Sequence, residues 1–479
     1  MTGQPRGSGY PTGGGAGTVP RIGAPPRSEL VWGEPVTADQ LAAAERGYAG
    51  CGTDERLLWE RLSVFEGAFD RDAVRAVCAS GTLPPARVGA ALDRLAPLAL
   101  LPVDDLFEGE RATARYWMPH PLRAVGARRL TERGDRPAVV LRHRRWCARL
   151  ARRAADHWQD GRHLDARDLA LRELPDLAVA MDPTTAPPSP CAGADPAVGI
   201  VVSLWFLWVV CGRVEEGRAR LRHALALHPG PPPARALWLA AYLELEAGRP
   251  ADADPLLVRA RAAAERDGDG HCLGLLAHLR GAADLFRGRT RAAADGFREA
   301  LALTGEDPDL GPTRELCWSA LALSLGRTDP EAARKALDRL PSGRRAGKGE
   351  ALWADAWAHQ ARAGLLARDG EGERAVGHAR WALRGHLALG SASGASGAAE
   401  LLAELRLMTG EPASAARLLG AVDVLRTSVF GDAYRPAASC AASRDRSRRA
   451  LGKALDGAEL RRAYEEGGHL GLFALAEAP

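Results

Sequence analysis

A glycine at the turn between two amphipathic helical patterns, followed a few positions later by a small residue, recurs along the C-terminal part of the chain. The glycines are Gly212, Gly248, Gly288, Gly326, Gly370 and Gly410, at spacings of 36, 40, 38, 44 and 40 residues. The companions five positions on are Gly217, Ala253, Ala293, Ala375 and Ala415, while the fourth unit slips by one to Ala332. Glycine lets the chain reverse after a helix, and only a small residue early in the next helix allows the pair to pack closely. Each hairpin leaves an apolar face that its neighbour must cover, so the spacing predicts a stack of six irregular hairpins over residues 198–430.

These periods exceed the 34 residues of a standard tetratricopeptide. The expected fold class is therefore all-α: an α-solenoid of tetratricopeptide-like helical hairpins with longer helices and a less regular superhelix. Trp205, Trp208, Trp238, Trp318, Trp353 and Trp357 fall in these helices and read as inter-helix core rather than as a ligand groove. The most apolar run, GIVVSLWFLWVVC from Gly199 to Cys211, is far shorter than the roughly 20 residues a spanning helix needs, and Arg213 follows it. It reads as a buried helix, and no membrane association is expected.

Upstream, residues 1–35 are rich in glycine and proline and read as a disordered leader. Residues 36–135 carry three helical patterns. Asp54 to Phe65 aligns Leu57, Leu58, Leu62 and Phe65; Asp70 is the expected N-cap of a helix burying Ala73, Val74, Val77 and Cys78; Pro84-Pro85 opens a helix with Val88, Leu92 and Leu95 inward. LALLPVD and ARYWMP then flank a turn around Gly109 and read as a β-hairpin. Three helices and a hairpin make a small winged-helix-like domain. Connecting helices over 136–182 follow, then a linker at 183–197 (PTTAPPSPCAGADPA), and capping helices after the array at 431–479.

LLWERLSVFEGAFDRDAVRAVC (Leu57 to Cys78) and RYWMPHPLRAVGARRL (Arg115 to Leu130) resemble the winged-helix segment of large actinobacterial LuxR- and MalT-like signal-transduction ATPases. SAARLLGAVDVLR (414–426) is similar to the last repeat of that family. The resemblance implies a winged helix followed by tetratricopeptide-like repeats. It does not extend to the ATPase module: G-x-x-x-x-G-K-[ST] is absent, and GGGAGT (13–18) has no lysine to reach a phosphate. No LuxR-type helix-turn-helix follows the last repeat in this sequence, so neither ATP switching nor that mode of promoter binding is implied.

No catalytic motif is present, and no cofactor or metal is expected. Asp267, Asp269 and His271 alternate as in a calcium loop, but Cys272 and His278 stand where glycine and glutamate are required, which leaves an inter-repeat loop. GSASGASG (390–397) reads as a flexible turn, and His120 as a helix-capping residue. The eight cysteines include no C-x-x-C pair, which fits a reducing cytoplasm. A net charge of +4 announces no nucleic-acid binder. Locally, Arg123 to Arg153 holds eleven arginines and two acids, and Arg142, Arg145, Arg149, Arg152 and Arg153 share one helical face opposite Trp146, Leu150, Ala154 and Trp158. That face is the candidate contact for an acidic protein or DNA, against a solvated arginine face in a chain with only three lysines. The function expected is non-catalytic regulation: repeats that bind a protein, peptide or small effector. DNA binding through the winged-helix segment, or service as the effector half of a split ATPase, are the alternatives.

Overall fold

The computed structural model describes residues 36–103, 114–185, 196–303, 314–340, 352–431 and 434–477. The leader, the hairpin turn around Gly109 and most of the 183–197 linker lie outside them. The described chain is all-α apart from one pair of three-residue strands.

The N-terminal segment contains a helix the periodicity did not suggest, α1 (Ala38–Gly50), opened by a capping box in which Thr37 and Gln40 satisfy each other's backbone N–H groups. α2 (Thr53–Leu62), α3 (Arg71–Cys78) and α4 (Pro85–Ala99) follow. Asp70 caps α3 by accepting the Ala73 N–H at 2.8 Å, and Ala73, Val74, Val77 and Cys78 are all buried, as are Val88, Leu92 and Leu95 of α4. β1 (Leu101–Val103) and β2 (Arg115–Trp117) pair antiparallel with Leu101 opposite Trp117. The first strand is shorter than expected because Leu98 and Ala99 complete α4.

After α5 (His120–Glu132), the long α6 (Arg136–Gln159) serves two cores. Val139 packs with Leu58, Leu62, Val77 and Leu95, whereas Cys147, Leu150, Ala151, Ala154 and Trp158 belong to the core of the helices beyond. Buried polar contacts reinforce this junction. From α8 (Leu174–Met181), Asp176 accepts the N–H groups of Glu66 at 2.8 Å and Gly67 at 3.1 Å and lies 2.9 Å from His143 Nε2. Arg115 Nη1 donates to Glu173 at 2.7 Å.

The hairpins begin with α6 and α7 (His163–Arg172), one unit earlier than expected. They continue through α9 (Ala197–Ser203), α10 (Trp205–Val209), α11 (Val214–Ala226), α12 (Ala234–Glu246), α13 (Pro250–Asp267), α14 (Gly270–Phe286), α15 (Thr290–Leu303), α16 (Arg314–Leu325) and α17 (Pro330–Leu337). Then come α18 (Leu352–Arg368), α19 (Gly372–Leu389), α20 (Ala392–Met408) and α21 (Pro412–Phe430), with α22 (Ala438–Ala454) and α23 (Gly457–Glu477) at the end. The apolar run at 199–211 is buried as expected but breaks at Leu204 into α9 and α10. Among the described residues, no helix is long and apolar enough to cross a membrane.

The turn chemistry explains the sequence repeat. Gly248 has φ +74°, its N–H reaches Leu245 O at 2.9 Å, and the Arg249 N–H reaches back to Glu244 O at 2.9 Å, a left-handed helix stop that favours glycine. Gly288, Gly370 and Gly410 repeat this bond pattern, as does the unanticipated Gly161; Gly212 shares the positive φ. The companions Ala253, Ala293, Ala375 and Ala415, and Ala166 after Gly161, are at most 1% exposed, and a Cβ on Gly217 would press on the Trp208 side chain. Gly326 is the exception. It has no positive φ; the chain runs on to Asp329, which caps α17 by accepting the Ala332 N–H at 3.0 Å. The buried small residue of that unit is consequently Ala333, fully buried, and not Ala332.

The array curls back on itself. His163 Nδ1 accepts the Trp353 N–H, Arg167 donates to Ala388 O, and the Gly212 turn meets the Gly390 turn, where a Cβ on Gly212 would stand 2.8 Å from Gly390 O. The rings of Trp158, Trp205 and Trp353 cluster with centroids 5.5–5.9 Å apart. α22 packs against both α14 and α20. The inner side of the curled array is thus lined by α12, α14, α18, α20 and α22.

Candidate ligand cavity

The curled array frames a half-open cavity of about 400 Å³, and helical spacing decides which side chains reach it. The last turn of α12 contributes Tyr242 and Glu246, four residues apart. α18 contributes Trp353, Trp357, Gln360 and Ala361; α20 contributes Ser393, Gly397, Glu400 and Glu404. Arg426 of α21, Tyr434, and Cys440, Ser443 and Arg446 of α22 complete the polar side. Gly364, Gly397, Ser391 and Ser393 withhold side-chain volume where larger residues would fill the space.

Most charges here are neutralised by neighbours. Glu400, 2% exposed, accepts from Arg426 Nη1 at 2.6 Å and Arg444 Nη1 at 3.1 Å. Arg444 also pairs with Asp423 and bonds Tyr464 Oη at 2.9 Å. Glu404 pairs with Arg446 at 3.0 Å and accepts the Ser443 hydroxyl at 2.7 Å. Glu246 differs. The Ser393 hydroxyl is its one polar neighbour of note, no cation among the described residues pairs with it, and enclosure pushes its carboxyl up to about 7. Burial raises the phenols of Tyr242 and Tyr434, and in each the Glu246 charge adds to the rise. Burial beside Glu400 takes the Cys440 thiol up to about 12, an unreactive thiol. Three buried wall atoms have no hydrogen-bond partner among the described residues: Glu400 Oε2, Arg426 Nε and Gln360 Oε1. Chemically this is a recognition site with apolar walls and a few oriented polar atoms.

The arginine face divides. Arg145, Arg149, Arg152 and Arg153 are exposed, with Arg149 lying over the Trp146 ring at 5.3 Å. Arg142 is not part of that surface. It is half-buried against α3, where its Nε donates to Val77 O at 2.7 Å; burial, with the Arg61 charge behind it, lowers its pKa. Arg61 donates to Cys78 O at 2.7 Å, so two arginines satisfy the carbonyl end of α3. Arg144 is buried and holds Asp182 O and Thr185 Oγ1 at 2.8 and 2.9 Å. The outer face of α4, where a winged helix would read DNA, exposes Ala86, Ala90 and Asp93, and its Arg87 and Arg94 are engaged by Asp54 and Glu55.

Among the other sequence candidates, Asp269 caps α14 through the Cys272 N–H at 3.0 Å and pairs with Arg235, as an inter-repeat loop residue would. His120 is exposed at the start of α5 with no capping hydrogen bond, so it is not the cap. The 390–397 segment is not a loose turn. After Gly390 it is the buried first part of α20, where Gly394 gives room to His386. Trp205, Trp208, Trp238 and Trp353 are core, whereas Trp353 and Trp357 also face the cavity. The cavity's polar residues were not singled out in the sequence. Their signal is a charge on a helix side otherwise occupied by apolar or small residues, Glu246 after Tyr242 and Glu400 after Gly397. No protein-family model matches the chain, and no curated protein sequence matches it.

Proposed function

We propose that this chain is a non-catalytic regulatory protein whose tetratricopeptide-like repeats hold a small effector in this half-open cavity. The observation that carries this reading is the roughly 400 Å³ space walled by Tyr242, Trp353 and Trp357, with polar atoms of Glu400, Arg426 and Gln360 left unpartnered at its edge. Buried polar atoms are normally satisfied, so a ligand or ordered water is what such a wall is built to receive. An effector that bridges α12, α18, α20 and α22 would stabilise the curled arrangement of the array. The N-terminal winged-helix-like module shares α6 with it and would sense that change.

The test is a thermal-shift and calorimetric screen of metabolite-sized compounds on the full chain and on Ala361→Trp, which fills the cavity. A ligand at a hundred times its dissociation constant adds about 2.7 kcal/mol to folding stability. Ligands that stabilise the parent and not the folded A361W variant support the reading. Equal responses in both, or none, refute it.

A further inference from the structure

The charge distribution around the cavity names the class of ligand, given the effector reading above. Of the arginines at or behind the wall, Arg426, Arg444 and Arg446 are matched by Glu400, Asp423 and Glu404 through ion pairs of 2.6–3.1 Å, together with the Arg444–Asp423 contact, whereas Arg327 of the lining is exposed to solvent. To reach Arg426, Arg444 or Arg446, an anionic ligand would have to displace those carboxylates. Glu246 is the remainder: a carboxylate on the cavity wall with a hydroxyl beside it and no cation among the described residues. The surroundings suit a positive charge. Tyr242 and Tyr434 both lie within range of the Glu246 charge, Trp353 and Trp357 line the same space, and aromatic faces attract cations. Of the three unpartnered wall atoms, Glu400 Oε2 and Gln360 Oε1 accept hydrogen bonds and Arg426 Nε donates one; the Glu400 side chain is only 2% exposed. An N–H-bearing ligand satisfies the two acceptors; a purely apolar or anionic one does not.

We infer that the cavity binds an organic cation, an amine-bearing small molecule whose ammonium group pairs with Glu246 and whose apolar body lies against Trp353 and Trp357. A half-buried carboxylate without a cation is costly, and an ammonium that is itself desolvated on entry makes a strong charge-assisted contact with it.

Three probes share one body and differ in charge: 4-phenylbutylammonium, 4-phenylbutanol and 4-phenylbutyrate, each titrated into the full chain at pH 8 by calorimetry and tryptophan fluorescence. The ammonium compound is expected to bind at least tenfold more tightly than the alcohol, and the carboxylate to bind most weakly. Glu246→Gln is expected to remove the advantage of the ammonium compound while leaving alcohol binding unchanged, and Glu246→Asp to retain part of it. Circular dichroism establishes that both variants fold, and the Asp variant reports on the charge should the Gln variant not fold. If all three probes bind alike, or the carboxylate binds best, or E246Q has no effect, the cation inference falls while the effector cavity stands. If no probe of any charge binds, both readings fall.

Discussion

His163 Nδ1 accepts the backbone N–H of Trp353 at 3.2 Å, a bond between residues 190 positions apart that ties α7 to α18. The imidazole is buried against the Trp158 ring, centroids 4.2 Å apart, and burial pushes its pKa down to about 3. It therefore stays neutral at ordinary pH, with a lone pair free to accept. His163→Leu keeps much of the volume and strands the Trp353 N–H. The expected cost is about 1–3 kcal/mol in urea unfolding, with a change in fluorescence from the cluster of Trp158, Trp205 and Trp353. An unaltered midpoint would mean that this contact does not hold the array closed.

The same bond marks where the sequence stops being informative. Local features were readable: Asp70 and Pro85 open helices, and five of the six anchor glycines carry the left-handed turn. Gly161 followed by Ala166 obeys the same rule but stands upstream of the apolar run that defined the array, and so went unread. α1 has a capping box in Thr37 and Gln40, but its apolar face is mostly alanine and only Ala44 is buried, which leaves little periodicity to detect. Arg142 shares a helical wheel with the exposed arginines, and only the position of the α3 carbonyls sets it apart. The isolation of Glu246 depends on which charges four other helices bring to the cavity, a sum over distant contacts that no local pattern contains.

The junction between the N-terminal helices and the array rests on Asp176, 3% exposed and bound to the amides of Glu66 and Gly67 and to His143. Asp176→Ala leaves two backbone donors and a buried imidazole without their acceptor. Each lost partner costs about 1–3 kcal/mol, so a loss of about 3 kcal/mol or more is expected. Differential scanning calorimetry should then show the N-terminal helices melting before the array. A single transition at the parental temperature would contradict the role given to this carboxylate.

Ala293 on α15 is fully buried where α15 crosses α14, beside Gly281 and Phe297. Ala293→Trp should lower stability by at least about 1–3 kcal/mol through overpacking. Thermal unfolding that is unchanged would show that the hairpin register has been misplaced.

The exposed arginines and Arg142 should separate in mutagenesis. Replacing Arg145, Arg149, Arg152 and Arg153 by Gln should alter stability by no more than about 0.5 kcal/mol per site, as for ordinary surface charges. Arg142→Gln removes the donor to Val77 O at the end of α3 and should cost about 1–2 kcal/mol by itself. If the four-residue variant also loses salt-sensitive binding to duplex DNA, the DNA reading is restored in spite of the neutral outer face of α4.

Glu246 gives a pH signature whose sign is fixed by the direction of its shift. Its folded pKa of about 7 lies above the ordinary 4.5, so between those values the folded chain binds the proton that the unfolded chain releases. Its contribution is fully present below pH 4.5 and is lost as pH rises through 7. The groups sharing its cavity do not reproduce that window. Tyr242, Tyr434 and Cys440 are raised far into the alkaline range, and His278 is lowered to about 3 by burial. His278, His163 and the likewise buried His386 act oppositely, removing stability as pH falls from 6.5 towards 3. Glu246→Gln should therefore leave stability near pH 5 almost unchanged and raise it at pH 8 by about 1–3 kcal/mol, since one pKa unit corresponds to about 1.4 kcal/mol. Urea titrations of parent and variant at pH 5, 6, 7 and 8 measure this directly. Parallel pH profiles would mean that water reaches Glu246 freely, and with that the unpaired, half-buried charge on the cavity wall would disappear.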